Sequence, residues 1–271
     1  MNLPVSDDVI AAVLLGIVQG LTEFLPVSST AHLILVTGTL GLDPERFGLS
    51  FDVALHLGTA LAVLLYFART WIALAVDLLH GRWRLPVLVI VGTIPAAAAG
   101  VLFESAVSTT LRSPWWIVLG LIAGSLVFVI AERVARQRRS MGDLTLIDAV
   151  LMGAAQAIAL LPGISRSGIT ISTGLVRDLT REEATRFSFL LATPVILGAG
   201  AKTLLDARKA QALFSAPDIL AVGFVVSFVS GLAAVAFLIR FVRTHSLDWF
   251  VVYRLLLAAV VALTLLFGYP V

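Results

Sequence analysis

The chain has 271 residues, 59% of them hydrophobic and 13% charged, with a net charge of +2 and a mean hydropathy of +1.01. Soluble domains carry about a quarter charged residues, so a water-soluble globular enzyme, a disordered chain and a collagen-like chain are excluded, because no compact soluble core hides this much apolar surface. The absence of cysteine rules out disulfides, thiolate nucleophiles and sulfur-built zinc sites, and so small a net charge excludes a nucleic-acid partner; a polytopic membrane protein remains.

Asp7 and Asp8 stand where a secretory signal would carry basic residues, so the N-terminus does not read as a cleaved signal peptide. The first apolar stretch, roughly 9–40, is interrupted at Pro26-Val27-Ser28-Ser29-Thr30. Three unbroken apolar runs follow, at 50–68, 87–103 and 115–131; about 20 helical residues cross ~30 Å of hydrocarbon. A second broken stretch, 146–176, is interrupted at Pro162-Gly163-Ile164-Ser165-Arg166-Ser167-Gly168, and three more runs cover 187–205, 218–239 and 250–268. The halves of each broken stretch read as too short to span alone. Irregular backbone at membrane depth survives only where protein buries it or where it lines a cavity. The expected fold is therefore all-α, with six transmembrane helices and two re-entrant helix–loop–helix hairpins.

The charge between spans orients the chain. Twelve basic residues fall on one side: Arg69, Arg82, Arg84, Arg133, Arg136, Arg138, Arg139, Arg177, Arg181, Arg186, Arg240 and Arg243. Arg46, Arg112, Arg208 and Lys209 fall on the other. The positive-inside rule makes the twelve-residue side cytoplasmic and places both termini outside.

The broken stretches resemble one another. Residues 10–19 align with 147–156 at an offset of 137, Pro26 aligns with Pro162 after a one-residue gap, and Phe51 and Leu55 align with Phe187 and Leu191. Three spans separate the hairpins, and an odd number inverts the second unit. The expectation is one membrane domain of two inverted repeats, about 1–138 and 139–271, with a site near the midplane where the loops meet.

At those loops the residue types become reactive. Gln19 and Glu23 share a helix face. Ser29 and His32 share one if a helix restarts after Pro26, with Ser28 or Ser29 as its cap, and a helix start suits phosphate. Arg166, between Ser165 and Ser167, offers a rigid fork of donors for phosphate oxygens. Gly163 and Gly168 let backbone N–H groups approach an anion, and Thr170 adds a hydroxyl. The plainer readings are capping serines, a core histidine at His32 and a structural Glu23–Arg166 pair. Ionisable groups in a membrane hairpin are costly, which makes function the default. His56 reads as helix packing, His80 and His245 as solvated, Glu182 and Glu183 as surface charge. Trp115, Trp116 and Trp249 read as an interfacial belt, and Lys202 as snorkelling outward.

The run from Gln19 to His32 resembles a family signature of Glu or Gln, three residues, Glu, then Pro-x-Ser-Ser-Thr-x-His. The run from Pro162 to Thr170 resembles that family's second signature, Pro-Gly-x-Ser-Arg-Ser-x-x-Thr. The family is the bacitracin-resistance type of undecaprenyl-diphosphate phosphatase, an integral membrane enzyme of bacterial cell-wall synthesis, and the resemblance extends over essentially the whole chain. It implies hydrolysis of undecaprenyl diphosphate to undecaprenyl phosphate and inorganic phosphate. Recycling of the lipid carrier and bacitracin resistance would follow. It further implies a bacterial cytoplasmic (inner) membrane location, a site opening toward the outer face, and Mg²⁺ or Ca²⁺ held by Glu23 together with substrate phosphates. Ser29, His32, Glu23 and Arg166 are the expected catalytic set. Gln19, Ser28, Thr30, Ser165, Ser167, Gly163, Gly168 and Thr170 are the expected binding set. Gln19 stands where many members carry Glu, which suits orientation more than proton transfer. Three attackers stay open: Ser29, His32, or water activated by Glu23. His32 either activates Ser29 or protonates the leaving lipid phosphate. The resemblance leaves a homodimer open. The competing class is a carrier of lipid phosphate or another anion, since inverted repeats with broken helices also build transporters.

Overall fold

The structure, a computed structural model, describes residues 5–103, 113–206, 211 and 216–268. Arg112, Arg208 and Lys209, which enter the orientation argument, lie outside the described residues. Among those described, all regular structure is helical, apart from one isolated bridge between Arg139 and Leu179.

Helix α1 (Val5–Phe24) leads through a short loop to α2 (Ser29–Thr39). The short α3 (Pro44–Phe47) and α4 (Leu49–Tyr66) follow, then α5 (Ala68–Leu79), α6 (Arg84–Leu102) and α7 (Pro114–Val134). After a 3₁₀ turn at Met141–Asp143 come α8 (Leu146–Ile158), α9 (Arg166–Val176), α10 (Arg181–Leu205), α11 (Pro217–Phe241) and α12 (Asp248–Leu266). Among the described residues, six helices are long and apolar enough to cross a membrane: α3 with α4, then α6, α7, α10, α11 and α12. These are the six expected runs.

Two expectations need correction. The first half of the first broken stretch is not short: α1 runs for 20 residues, with no proline to stop it and Asp7 and Asp8 in its first turn, where carboxylates suit the helix dipole. The stretch between the first two unbroken spans, which the charge count treats only as a connection carrying Arg69, Arg82 and Arg84, holds α5, an amphipathic helix that buries Leu74 and exposes Ile72, Val76 and Leu79.

The exterior is apolar and many buried positions are polar, the reverse of a soluble protein. Ile90, Leu119, Leu126, Val229 and Leu256 are exposed, whereas Gln19, Glu23, Thr59, Asp148 and Arg254 are buried. Where lipid is as apolar as leucine, helices associate by close packing of small residues. α1 docks on α11 in this way: a Cβ on Gly20 would lie 2.6 Å from Gly231 N, and Ser230 Oγ donates to Gly16 O at 3.1 Å. α8 docks on α6 through Gly153, where a Cβ would lie 2.0 Å from Gly92 O. The first helix of each broken stretch is thus seated against a span from the other half of the chain.

Polar links join the arginine-rich helix ends. Asp148, fully buried, pairs with Arg139 at 2.5 Å and Arg177 at 2.6 Å. Arg84 donates to the carbonyls of Gly142 and Leu144, Arg181 pairs with Glu132, and Arg243 with Glu182. These links place the ends of α6, α7, α8, α9, α10 and α11 on one face. His80 and His245 are exposed, as expected of solvated histidines, and so are Trp115, Trp116 and Trp249.

Candidate active site

The two interrupting loops meet. A small polar pocket, about 20 Å³, is lined by Glu23, Ser28, Ser29, Thr30, Ala159, Ser165 and Arg166; that is room for about one water. Six of those seven residues were singled out from the sequence.

Glu23, at the end of α1, is the hub. Ser29 Oγ donates to Glu23 Oε2 at 2.6 Å, and Gln19 Nε2, one turn back on α1, donates to the same oxygen at 3.1 Å. Arg166 Nη1 approaches the other oxygen, Oε1, at 3.3 Å as an ion pair. Nη1 is buried and makes no hydrogen bond. A hydroxyl within hydrogen-bond reach of a buried carboxylate is the geometry of a nucleophile beside its base.

The loops are strained and cross-braced. Ser28 and Ser165, each immediately before a restarting helix, have φ of 77° and 76°, a region that costs a non-glycine residue about 1–3 kcal/mol. Ser165 caps α9 by accepting from Gly168 N–H at 3.3 Å. Ser28 occupies the cap position of α2 without capping it, because its Oγ accepts instead from Gly163 N–H at 3.1 Å. Ser167 Oγ crosses back to Leu25 O at 3.3 Å and lies 3.3 Å from Ser165 Oγ.

Arg254, on α12 and fully buried, clamps the crossing. It donates to Pro26 O in one loop and Gly163 O in the other, and to Gly120 O, Leu121 O and Ser125 Oγ on α7. Its guanidinium carbon lies 4.7 Å from the centroid of the Phe128 ring.

Several expected residues take other partners. Gly163 N–H is engaged by Ser28 and Gly168 N–H by Ser165. Gly168 also makes room for Phe128, whose ring a Cβ would penetrate. Thr170 is buried against Arg166 O and Ser188 Oγ, outside the pocket lining. His32 does not face Ser29: Nδ1 meets Ser28 O at 2.8 Å and Nε2 meets Tyr253 Oη at 2.7 Å, with the two rings stacked. Since a carbonyl only accepts, Nδ1 carries the proton and Nε2 accepts from the tyrosine in the neutral ring.

Three residues near the site escaped sequence reasoning. His56, expected to be packing, has Nε2 3.3 Å from Glu23 Oε2. Arg254 and Tyr253 were not singled out. The available signal was an ionisable side chain in mid-span, at 56 and at 254.

Lipid-facing helices enclosing a hydroxyl, its carboxylate and a facing arginine define a multi-pass membrane protein with an internal site suited to phosphoryl chemistry. The chain belongs to the family described as bacitracin resistance protein BacA, whose model matches residues 12–260. It is 48% identical over 269 residues to an undecaprenyl-diphosphatase of Rubrobacter xylanophilus, covering 96% of this chain and 99% of that one. It is 40% identical to one from Thermodesulfovibrio yellowstonii, covering 96% and 99% of the two chains. Undecaprenyl-diphosphatase 1 of Corynebacterium jeikeium is 44% identical, with 93% and 92% covered.

Proposed function

We propose that this chain hydrolyses undecaprenyl diphosphate to undecaprenyl phosphate and inorganic phosphate. The single observation that carries the residue roles is the 2.6 Å hydrogen bond from Ser29 to Glu23, set opposite Arg166 in a pocket at the crossing of two loops. Ser29 Oγ attacks the terminal phosphorus. The bond from that phosphorus to the bridging oxygen breaks, and polyprenyl phosphate leaves with the electron pair. The Ser29 proton passes to Glu23 Oε2. Arg166 leaves Glu23 for the non-bridging oxygens, and its Nη1 is the donor best placed to do so. Water then attacks the phosphoserine: the bond from phosphorus to Ser29 Oγ breaks, the proton held on Glu23 returns to Ser29 Oγ, and the protons of the attacking water leave with the inorganic phosphate. His32, whose Nε2 is held by Tyr253 rather than by Ser29, is assigned to the leaving-group side.

Among the described residues there is no cluster of three or more His, Asp or Glu that would hold a metal. The pocket offers one carboxylate, already engaged by Ser29, Gln19, His56 and Arg166. That donor set does not fit a protein-built cation site. Mg²⁺ or Ca²⁺ would enter on the diphosphate itself.

The same reading includes two inverted repeats, about 1–138 and 139–271. It is supported by the reciprocal seating of α1 on α11 and α8 on α6 and by the matching strain at Ser28 and Ser165. The arginine face would lie in the cytoplasm and the site would open toward the outer side of the inner membrane, where recycling the lipid carrier would confer bacitracin resistance. A cavity of about 510 Å³ between α4, α6 and α10, with Leu160 in its wall beside pocket-lining Ala159, is the path for the isoprenoid tail.

The test is phosphate release from a polyprenyl diphosphate by the detergent-purified chain, beside Ser29→Ala and Arg166→Ala. Loss in both folded variants is expected. Full release by Ser29→Ala would remove Ser29 as the attacker, and no release by the wild type would remove the enzyme reading.

A further inference from the structure

Glu23 faces two cationic side chains, and only one of them is free to serve a phosphate. Arg166 is 3.3 Å from Oε1; His56, on α4, is 3.3 Å from Oε2. The other nitrogen of His56, Nδ1, lies 2.7 Å from the backbone carbonyl of Asp52, one helical turn away. A carbonyl has no proton to give, so Nδ1 carries the hydrogen. A neutral ring would then point the bare lone pair of Nε2 at a carboxylate oxygen. The contact is attractive only if a proton lies between Nε2 and Oε2. Ser29 and Gln19, the other two groups on Oε2, are both donors there.

This matters because Glu23 is almost wholly buried. When Arg166 turns to the incoming phosphate, the carboxylate loses one of its two ion-pair partners. A buried carboxylate left without a cation takes up a proton or moves, and either change ends its service as base to Ser29.

We propose that His56 is a positioning residue for Glu23: its Nε2–H holds Oε2 against Ser29 and keeps the carboxylate charged while Arg166 is engaged by the phosphate. The inference rests on the phosphatase reading for its consequence, but the proton shared by the pair is a property of the resting protein. His56 therefore acts through Glu23. Its loss slows turnover and spares substrate binding, which the pocket serines and Arg166 provide.

The experiment compares His56→Leu and His56→Gln with the wild type, all as the full chain in detergent, for phosphate release from a polyprenyl diphosphate. The leucine variant is expected to lose about 10- to 100-fold in kcat, the worth of one hydrogen bond to a charged group, with KM within about threefold. The glutamine variant restores an N–H toward Oε2 and is expected to recover most of kcat. A second measurement is independent of activity. ¹⁵N spectra of the histidine rings are expected to show both nitrogens of His56 protonated in the wild type, and that signature altered in Glu23→Gln. Wild-type kcat in His56→Leu, a glutamine variant as slow as the leucine one, or a bare Nε2 in the resting protein would each overturn the proposal. A wild type that releases no phosphate yet shows the doubly protonated ring would overturn the phosphatase reading and leave the pair standing.

Discussion

Replacing Arg254 should disconnect the two loops that make the pocket. The side chain is fully buried, and its three nitrogens reach five acceptors: Gly163 O at 2.8 Å, Leu121 O and Ser125 Oγ at 3.0 Å, Gly120 O at 3.2 Å and Pro26 O at 3.4 Å. A hydrogen bond from a charged donor contributes about 1.5–3 kcal/mol, and an acceptor left bare costs about 1–3 kcal/mol. These terms do not add, so the expectation for Arg254→Met is a loss of about 3–5 kcal/mol, the range for breaking a buried charged cluster from one side. Arg254→Lys tests geometry rather than charge. One ammonium cannot span Pro26, Gly163 and Ser125 together, since the planar fork is what reaches all three. The lysine variant should unfold at a lower temperature in detergent and release phosphate at least about tenfold more slowly, the cost of about 1.4 kcal/mol of lost positioning. Wild-type melting and turnover in Arg254→Met would refute the clamp.

Glu23→Gln removes the proton acceptor for Ser29 and should slow phosphate release by about 10²- to 10⁴-fold; activity within tenfold of wild type would exclude Glu23 as the base. Gly163→Ala places a Cβ 2.5 Å from Ile117 O at a φ of 92°, so it should destabilise the protein by more than about 1 kcal/mol, read as a drop in melting temperature; an unchanged melt would contradict the close approach of the second loop to α7. Tyr253→Phe keeps the ring stack on His32 but removes the hydroxyl at Nε2. A fall in kcat of about two- to tenfold is expected from one neutral hydrogen bond, and no change in kcat would separate the His32–Tyr253 pair from the chemistry.

What the sequence made legible follows from local rules. Six spans could be read because crossing a membrane demands about 20 apolar residues in a row, and each run became a helix. The loops could be read because Pro26 and Pro162 break apolar stretches beside serines that hydrocarbon does not tolerate. Glu23, Ser29 and Arg166 were found because they sit in or next to those breaks. The residues that were missed act over long separations. Arg254 meets Pro26 across 228 positions, and His56 reaches Glu23 from a different helix, so no spacing rule could join them. The direction of His32 was also beyond sequence reasoning. A three-residue offset puts Ser29 and His32 on neighbouring turns of α2, but Tyr253 decides where the ring points. The role of Gly163 changed for the same reason: its N–H meets Ser28 from the other loop, whereas the N–H of Gly168 is taken by a local cap, Ser165 three residues before it.

The most direct test of the central claim is to trap the covalent intermediate on Ser29. The protein would be mixed briefly with a polyprenyl diphosphate labelled in its terminal phosphate, quenched in acid and analysed by peptide. The account predicts an acid-stable phosphoserine at Ser29 that is absent from Ser29→Ala. An acid-labile label on His32, or rapid turnover with no labelled protein at any time, would contradict it and pass the attack to histidine or to water.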